Sequence, residues 1–318
     1  MIRHIQLAVV QSPGEPDKQH LEVVKKLVMQ AASAGAQLVL LPELFASPFH
    51  FDPAVWHEAT ARGGKIEQYL CANAQYHGIY LGGSYLETNG RDFFNTFALA
   101  SPEGRIVGRV GKANPCSLER CVFAPANDAP VIETELGRIG VAICYDNTRR
   151  ETVDRLLAAN PDIWLMPMSA PLLPYSLAGK SGKARYLSEL RDSPAALAMH
   201  FGIPVAMANK YGEWKPRMPG WFPGVSSRFP GASCIADSDG SLLARADDAV
   251  GYAIAQVCLD DQRKRLRVPP EFDAYRPWLA KPLPDYHLFP FYEWWAERHY
   301  RRHPQRAALA QERSRSDV

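Results

Sequence analysis

Apolar runs typical of buried strands alternate along the chain with segments whose apolar residues recur every three or four positions. The runs at 5–10, 38–41 and 163–168 are continuous enough for strands that are covered on both faces of a parallel sheet. The helical periodicity from Leu21 to Ala31 predicts an amphipathic helix that Asp17 caps. Strands and helices in alternation indicate an α/β fold.

Further elements follow the same alternation. Strands are predicted at 79–86, 138–143, 204–208, 234–236, 242–244 and 252–257, and helices at 66–76, 149–159 and 183–200. The strands at 97–100 and 106–110 flank a short turn and predict a hairpin. Ser193-Pro194 predicts an interruption of the last helix, since a serine cap followed by proline can restart a helix. Crossovers mixed with hairpins favour two mixed sheets packed together with helices outside.

Composition and charge exclude several classes of protein. The 318 residues are 47% hydrophobic and 22% charged, with a net charge of +2, so a large core is possible and nucleic-acid binding is not expected. No apolar stretch reaches about 18 residues and no signal peptide precedes the first strand, which predicts no membrane partner. The six cysteines show neither a disulfide framework nor zinc spacing, which indicates a reducing, cytoplasmic setting and no metal.

Cys144 is the first candidate for chemistry. It ends the apolar run 138–143 and precedes the helical segment 149–159. A buried strand would deliver the thiol to the carboxyl edge of a sheet, where a helix N-terminus would lower the pKa of the thiol and bind an anion. A single cysteine on an apolar strand is more often inert core, so its position alone does not decide.

Two charged residues also stand at strand ends. Glu43 follows the apolar run 37–41 and Pro42, and Lys112 closes an alternating strand that begins at Arg105. A carboxylate at the end of a buried strand can act as a base. Taken singly, Glu43 is more typical of a solvated loop and Lys112 of a surface cation.

Together, Glu43, Lys112 and Cys144 and their flanking residues resemble the nitrilase (carbon–nitrogen hydrolase) superfamily, whose members use a Glu–Lys–Cys triad. The matching motifs are Leu41-Pro-Glu-Leu44, Asn95-Thr96 with the strand into Lys112, Gly137-Arg-Ile-Gly-Val-Ala-Ile-Cys-Tyr-Asp146, Val205-Ala-Met-Ala-Asn209 and Phe229-Pro-Gly-Ala-Ser233. The resemblance implies a four-layer α-β-β-α sandwich of two mixed sheets. It also implies a carbon–nitrogen hydrolase domain over residues 1–260.

The resemblance implies a second carboxylate in the site. Glu119, with Phe123 four residues on and Pro125 two beyond that, has the spacing found in many members. A buried carboxylate there would hold Lys112 charged and orient substrate or water. The alternative for Glu119 is a plain surface carboxylate.

The implied reaction is hydrolysis of a non-peptide carbon–nitrogen bond, in a small amide or N-carbamoyl compound, with release of ammonia. Cys144 would form a thioester, Glu43 would transfer protons, and Lys112 with the backbone N–H of Tyr145 would stabilise the oxyanion. Water is the second reactant, and no metal or organic cofactor is required. Cys144-Tyr145-Asp146 differs from the Cys-Trp-Glu of true nitrilases, which favours amides. A nitrilase acting on an organic nitrile and an acyltransferase on the same scaffold are the alternatives.

Two further features bear on the substrate. Arg149 and Arg150 lie near the nucleophile in sequence and could bind a substrate carboxylate, the alternative being a solvated first turn of the helix. The segment 211–224 is rich in proline, glycine and tryptophan, which favours a packed loop that serves as a pocket wall or lid, or a subunit contact.

Residues 261–318 lie beyond the motifs and are expected to form an arm and a basic tail, not an independent domain. Phe272–Trp295 carries many aromatic rings, which require burial, so an arm packed over its own core or a neighbouring subunit is predicted. After Arg298 the chain is basic, and a partly disordered end is favoured over an RNA-binding tail. Family members are commonly oligomeric, which implies a homodimer or larger homo-oligomer.

Overall fold

Fifteen strands and six α-helices make up the described part of the chain. A computed structural model describes residues 2–15, 19–220, 222–267 and 287–316. The strands are β1 (Ile2–Gln11), β2 (Leu38–Leu40), β3 (Thr60–Ala61), β4 (Tyr80–Thr88), β5 (Phe93–Ala100), β6 (Ile106–Gly111), β7 (Val131–Thr134), β8 (Gly137–Val141), β9 (Ile163–Pro167), β10 (Val205–Ala208), β11 (Tyr211–Trp214), β12 (Ser227–Pro230), β13 (Cys234–Ala236), β14 (Leu242–Arg245) and β15 (Gly251–Asp260). The helices are α1 (His20–Ser33), α2 (Lys65–His77), α3 (Arg150–Ala158), α4 (Gly179–Phe201), α5 (Phe289–Arg302) and α6 (Arg306–Arg315). Short 3₁₀ turns occupy Pro53–Glu58, Ser117–Cys121 and Cys144–Thr148.

Two mixed sheets form the centre of the molecule. The first has the order β15-β1-β2-β4-β5-β6 with β3 on β4, and β1, β2 and β4 run parallel. The second has the order β14-β13-β10-β9-β8-β7, and β8, β9 and β10 run parallel. β5 and β6 pair antiparallel, as the predicted hairpin requires. The small sheet β11–β12 stands apart.

The alternation of side chains along each strand creates the layers. In β1, Leu7 and Val9 enter the core between the two sheets, whereas Ala8 and Val10 face α1 and α2. In β9, Leu165 enters the same central core, while its neighbours face α3 and α4 on the other side. The predicted four-layer α-β-β-α sandwich is therefore confirmed.

Helix α4 differs from its prediction. It runs from Gly179 to Phe201 with Pro194 inside it, so the interruption expected at Ser193-Pro194 was wrong. A proline inside a helix costs about 3 kcal/mol. Burial of Leu197 and Phe201 against the second sheet offsets that cost. The predicted cap Asp17 lies outside the described residues.

The C-terminal region is helical, which corrects the expectation of a partly disordered end. Helix α5 packs against the turn Ser117–Cys121, and α6 packs against β3 and β4. Tyr300 of α5 accepts a hydrogen bond from the Phe93 N–H at 3.0 Å and donates one to Asp92 at 3.0 Å. The described part of the predicted arm thus packs on the chain's own core, while residues 272–286 lie outside the description. No helix in the described ranges is long and apolar enough to cross a bilayer.

Lys210, which follows β10, is a fully buried lysine. Its Nζ donates to the Ser47 carbonyl at 3.2 Å and lies 5.8 Å from the centre of the Phe229 ring. Burial lowers the pKa of Lys210 to about 8, against the opposing effect of the Glu43 and Glu15 carboxylates. The charged form of this side chain is therefore poorly accommodated in the folded protein.

Tyr300→Phe should lower the free energy of unfolding by about 1–3 kcal/mol, because the buried Phe93 N–H loses its acceptor. Urea unfolding measures the change. Tyr76→Phe is the matched control, since Tyr76 is 83% exposed; its effect should stay within about 0.5 kcal/mol. Equal midpoints for the two variants would show that Tyr300 does not anchor α5.

Lys210→Met should raise the free energy of unfolding by about 1–3 kcal/mol near pH 7, because a buried charge is replaced by an apolar chain of similar length. Below the folded pKa of about 8, lysine is charged in both states and the penalty is complete. As the pH rises from there towards 10.5, the folded protein releases the proton first, so the wild type gains stability relative to the variant.

Urea unfolding at about pH 7 and about pH 9.5 tests this pH dependence of Lys210→Met. The advantage of the variant should shrink at the higher pH, because titrating groups common to both proteins cancel in the comparison. Lys26→Met, at an exposed site on α1, should show no such trend. A Lys210→Met protein that is less stable than the wild type at the lower pH would contradict the expectation.

Candidate active site

The three candidate residues stand at the carboxyl ends of strands from both sheets. Glu43 follows β2, Lys112 directly follows β6, and Cys144 begins the 3₁₀ turn that follows β8. β2 belongs to the first sheet and β8 to the second, and the two sheets share one core. The packing of the sheets therefore brings residues that are distant in sequence to one point.

Lys112 lies between two carboxylates. Its Nζ donates to Glu43 Oε1 at 2.7 Å and to Glu119 Oε2 at 2.5 Å, and all three side chains are buried. The backbone N–H of Cys116 also donates to Glu119 Oε2, at 3.1 Å. The structure thus brings Glu43, Lys112 and Glu119 together, and Glu119 is not a surface carboxylate.

The charges in this cluster shift one another's pKa values. Burial alone would lower the pKa of Lys112, but the carboxylates of Glu119 and Glu43 raise it well above its ordinary value. Burial raises the pKa of Glu119 to about 7, although the Lys112 ammonium opposes that rise. Lys112 is therefore an ammonium ion at neutral pH, and Glu119 exchanges its proton close to neutrality.

Glu43 is held by groups from both sheets. Asn95 Nδ2 on β5 donates to Glu43 Oε1 at 2.8 Å, and the Ser169 backbone N–H donates to Oε2 at 2.7 Å. Ser169 Oγ also donates to the backbone carbonyl of Glu43, at 2.7 Å. Ser169 was not among the site residues predicted from the sequence. Its signal was a polar residue directly after the apolar run 163–168, at the carboxyl end of a parallel strand.

Cys144 occupies a strained turn. Its backbone φ is 49°, in the left-handed region that residues with a side chain rarely adopt. Asn147 Nδ2 donates to the carbonyls of Ala142 and Cys144, both at 2.8 Å. Trp164 Nε1 donates to Asn147 Oδ1 at 2.8 Å, so β9 braces the turn that presents the thiol. Asn147 was not among the predicted site residues.

The pKa of the Cys144 thiol is raised, which corrects the expectation that a helix N-terminus lowers it. Loss of hydration is the main cause, and the Glu43 carboxylate adds to it. Lys112 and the Ser169 N–H act in the opposite direction without cancelling the rise. The helix α3 begins only at Arg150, beyond the 3₁₀ turn, so its N-terminus does not adjoin the sulfur. Cys144 is therefore a thiol at neutral pH and requires a base to become a nucleophile.

Asp146 connects the cysteine turn to the lysine segment. Its carboxylate accepts hydrogen bonds from the backbone N–H of Ala113 at 3.0 Å and of Asn114 at 2.8 Å. Burial raises the pKa of Asp146, while these donors and Lys112 lower it. The contacts fix the backbone on both sides of the site relative to each other.

A cavity of about 490 Å³ opens beside Cys144. Tyr145 and Glu119 line it together with residues 168–174, the inner face of α4, Trp214 and Phe289. Trp214 belongs to the segment 211–224, so that segment contributes a pocket wall. Its first four residues form β11, and Trp221 lies outside the described residues. In the described ranges, no three or more histidine, cysteine or carboxylate side chains are grouped to hold a metal ion.

Neither Arg149 nor Arg150 is among the described residues that line the cavity. The Arg149 guanidinium lies 5.6 Å from the centre of the Tyr145 ring, and Arg150 pairs with Asp154 at 3.5 Å. Arg149 Nη1 also donates to the hydroxyl of Tyr145, a lining residue, at 3.4 Å, and the binding of a substrate carboxylate by the two arginines stays a prediction.

Known proteins resemble this chain over different lengths. Nitrilase 3 of Arabidopsis thaliana is 31% identical over 178 residues, which cover 49% of this chain and 50% of that protein. The chain thus spans about half the length of this relative. Deaminated glutathione amidase of Homo sapiens is 26% identical over 289 residues, which cover 85% of this chain and 82% of that protein.

The fold also has a counterpart among solved structures. A carbon–nitrogen hydrolase from Helicobacter pylori G27 superposes with a TM-score of 0.70 at 22% identity, covering 80% of this chain and 89% of that one. Residues 6–265 match the family model described as Carbon-nitrogen hydrolase. This match extends from β1 past β15 and includes every motif named above, and it confirms the resemblance found in the sequence. The chain belongs to the carbon–nitrogen hydrolase family.

Proposed function

We propose that the protein hydrolyses the carbon–nitrogen bond of a small amide or N-carbamoyl compound and releases ammonia through a thioester on Cys144. The observation that carries the proposal is the contact of Lys112 with both Glu43 and Glu119 beside a cavity that Cys144 lines. The cluster supplies a base, a fixed positive charge and a sulfur nucleophile in one place.

In the first half-reaction, Glu43 takes the thiol proton as Cys144 Sγ forms a bond to the substrate carbonyl carbon. The Ser169 N–H donates to Glu43 Oε2, and the Glu43 carboxylate acts on the Cys144 thiol by raising its pKa, which supports Glu43 as the base. The carbonyl oxygen becomes an oxyanion, which the Lys112 ammonium and the Tyr145 N–H stabilise. Glu43 then passes the proton to the nitrogen, the carbon–nitrogen bond breaks, and ammonia leaves.

In the second half-reaction, water replaces ammonia. Glu43 takes a proton from the water molecule as the water oxygen bonds to the thioester carbon. The carbon–sulfur bond then breaks, Glu43 gives that proton to the sulfur, and the carboxylic acid leaves. Glu119 touches Lys112 and keeps it charged through both halves.

Amide hydrolysis is preferred to nitrile hydrolysis for two reasons. The residues after Cys144 are Tyr145-Asp146, and the relative matched over most of its length bears the name of an amidase. A nitrilase is the second candidate, because Nitrilase 3 has the higher identity over the part that aligns. Acyl transfer to an amine would use the same thioester.

We also propose that residues 1–260 form the catalytic domain and that residues 261–318 form an arm of the same unit. Phe289 of α5 lines the cavity, which supports this division. Assembly into a homodimer or larger oligomer stays a prediction.

Cys144→Ala should reduce ammonia release by more than about 10³-fold, because the sulfur atom that forms the thioester is removed. The assay uses a nitrile, a primary amide and an N-carbamoyl amine that share one carbon skeleton. Release from the amide or carbamoyl compound supports the proposal, whereas release only from the nitrile supports the nitrilase. Release that requires added hydroxylamine as acceptor supports the acyltransferase.

Cys258→Ala is the matched control, because this half-buried cysteine lies on β15, away from the cavity lining. It should keep wild-type turnover. Circular dichroism should show that both variants keep the fold. Full activity in Cys144→Ala would end the thioester proposal.

Glu119→Gln should lower kcat/KM at about pH 8 by about ten- to hundredfold, the range typical of a group that acts through another. The pKa of Glu119 is about 7, so the wild type loses this carboxylate charge as the pH falls through neutrality. The uncharged glutamine resembles the protonated state. The ratio of wild type to variant should therefore approach one near pH 5.5, because the other groups of the site are the same in both proteins. A ratio that is constant over this range would contradict a charge-holding role for Glu119.

A further inference from the structure

We infer that the cavity beside Cys144 is an acyl-binding site for uncharged, apolar acyl groups, and that Phe289 of α5 helps to select them. The inference rests on the proposed function, because it assumes that the acyl group is bonded to Cys144 Sγ during turnover. It names the substrate class as small amides of aliphatic or aromatic acids.

The cavity is small and its lining is largely apolar. Apolar side chains make up more than half of the described lining, and they include Phe49, Phe51, Leu172, Leu197, Trp214 and Phe289. Phe49, Phe51 and Trp214 pack on one another with ring centres 5.3–6.0 Å apart, and Trp214 Nε1 donates to the Phe49 carbonyl. The polar atom of this wall is therefore already satisfied. A volume of about 490 Å³ suits a ligand much smaller than a peptide.

The charged side chains in the described lining of the cavity are all acidic. Its described lining contains no lysine, arginine or histidine, whereas Glu119, Glu189 and Asp192 contribute carboxyl groups. A substrate carboxylate would lose its hydration there, and no cation among the described lining residues would pair with it.

A distal cation on the substrate is not favoured either. Glu189 already pairs with Arg185 at 2.7 Å. Asp192 accepts a hydrogen bond from Ser188 Oγ at 2.9 Å and lies on the exposed side of α4. Water screens such an exposed carboxylate, so it contributes little to binding a substrate ammonium.

Phe289 lies in the cavity wall beside Tyr145. Its ring centre lies 5.9 Å from that of Tyr145, the residue after the nucleophile. Helix α5 is tied to the turn that carries Glu119, since Arg120 lies 3.4 Å from Glu297 and 3.9 Å from Glu293. Phe289 is the first residue of this helix and lines the cavity, and it lies outside the segment 6–265 that the family model matches.

Four amides test the substrate class with the wild-type protein: acetamide, hexanamide, adipic acid monoamide and 6-aminohexanamide. The last three have chains of the same length that end in a methyl group, a carboxylate or an ammonium. Hexanamide should exceed acetamide in kcat/KM by about 100-fold or more, since it has four more methylenes and each contributes about fourfold when buried. It should exceed both charged analogues by roughly 100-fold.

Phe289→Ala tests the specificity role, with Phe291→Ala as its matched control. Both residues lie on α5, but Phe291 is 62% exposed and is not part of the cavity lining. Phe289→Ala should reduce the preference for hexanamide over acetamide by about five- to fiftyfold. Phe291→Ala should keep the wild-type ratio. An unchanged ratio in Phe289→Ala would overturn the role of this ring.

Failure of the inference can be told from failure of the proposed function. Ammonia release that depends on Cys144 but favours acetamide or a charged analogue would overturn the apolar acyl site and leave the hydrolase standing. Silence with every amide and with the N-carbamoyl compound would count against the proposed function, and calorimetry with the folded Cys144→Ala protein then decides the inference. Tighter binding of hexanamide than of its charged analogues supports an apolar site, and equal or reversed affinities overturn it.

Discussion

The buried ammonium of Lys112, held between Glu43 and Glu119, is the interaction on which the rest of the site depends. An unpaired charge in this position would cost several kcal/mol, so the two carboxylates must meet it within hydrogen-bond distance. They arrive from different directions, Glu43 from the end of β2 and Glu119 from a 3₁₀ turn. The need to pair the charge on Lys112 Nζ therefore constrains the relative positions of β2, the 3₁₀ turn that carries Glu119 and the β5–β6 hairpin. Removal of either carboxylate would leave Lys112 with a single partner in a dry environment.

The backbone carries strain at the same points. Leu44, next to Glu43, has a φ of 48°, and Cys144 has a φ of 49°. Each turn is braced by a buried polar side chain, Ser84 Oγ for the Leu44 N–H and Asn147 for the Cys144 carbonyl. Non-glycine residues in this region persist only where surrounding contacts over-determine the backbone. The strain turns the chain sharply at the sheet edge, and the bracing keeps the functional side chains in one orientation.

Local sequence pattern predicted where the site residues stand relative to the strands. The runs before Glu43, Lys112 and Cys144 predict strand ends, and it was the resemblance to a known family that indicated that these residues act together. The bracing contacts were not predictable, because they join residues such as Ser169 and Glu43 that lie 126 positions apart. The direction of the pKa shift of Cys144 was misjudged for the same reason, since it depends on which groups surround the sulfur in space. Helix α4 was misjudged at Pro194, where tertiary burial overrides a local break signal.

The apolar cavity and the raised pKa of Cys144 have one physical cause. The side chains that exclude water to create an apolar acyl site also remove water from the sulfur, and this disfavours the thiolate. A pocket that binds apolar groups in this position therefore cannot rely on a pre-formed thiolate, and the base must stand beside the nucleophile. In the proposed reaction Glu43 would meet that requirement, with its carboxylate held by the Ser169 N–H and by Asn95. The choice of acyl group and the need for proton transfer are thus linked through the hydration of one sulfur atom.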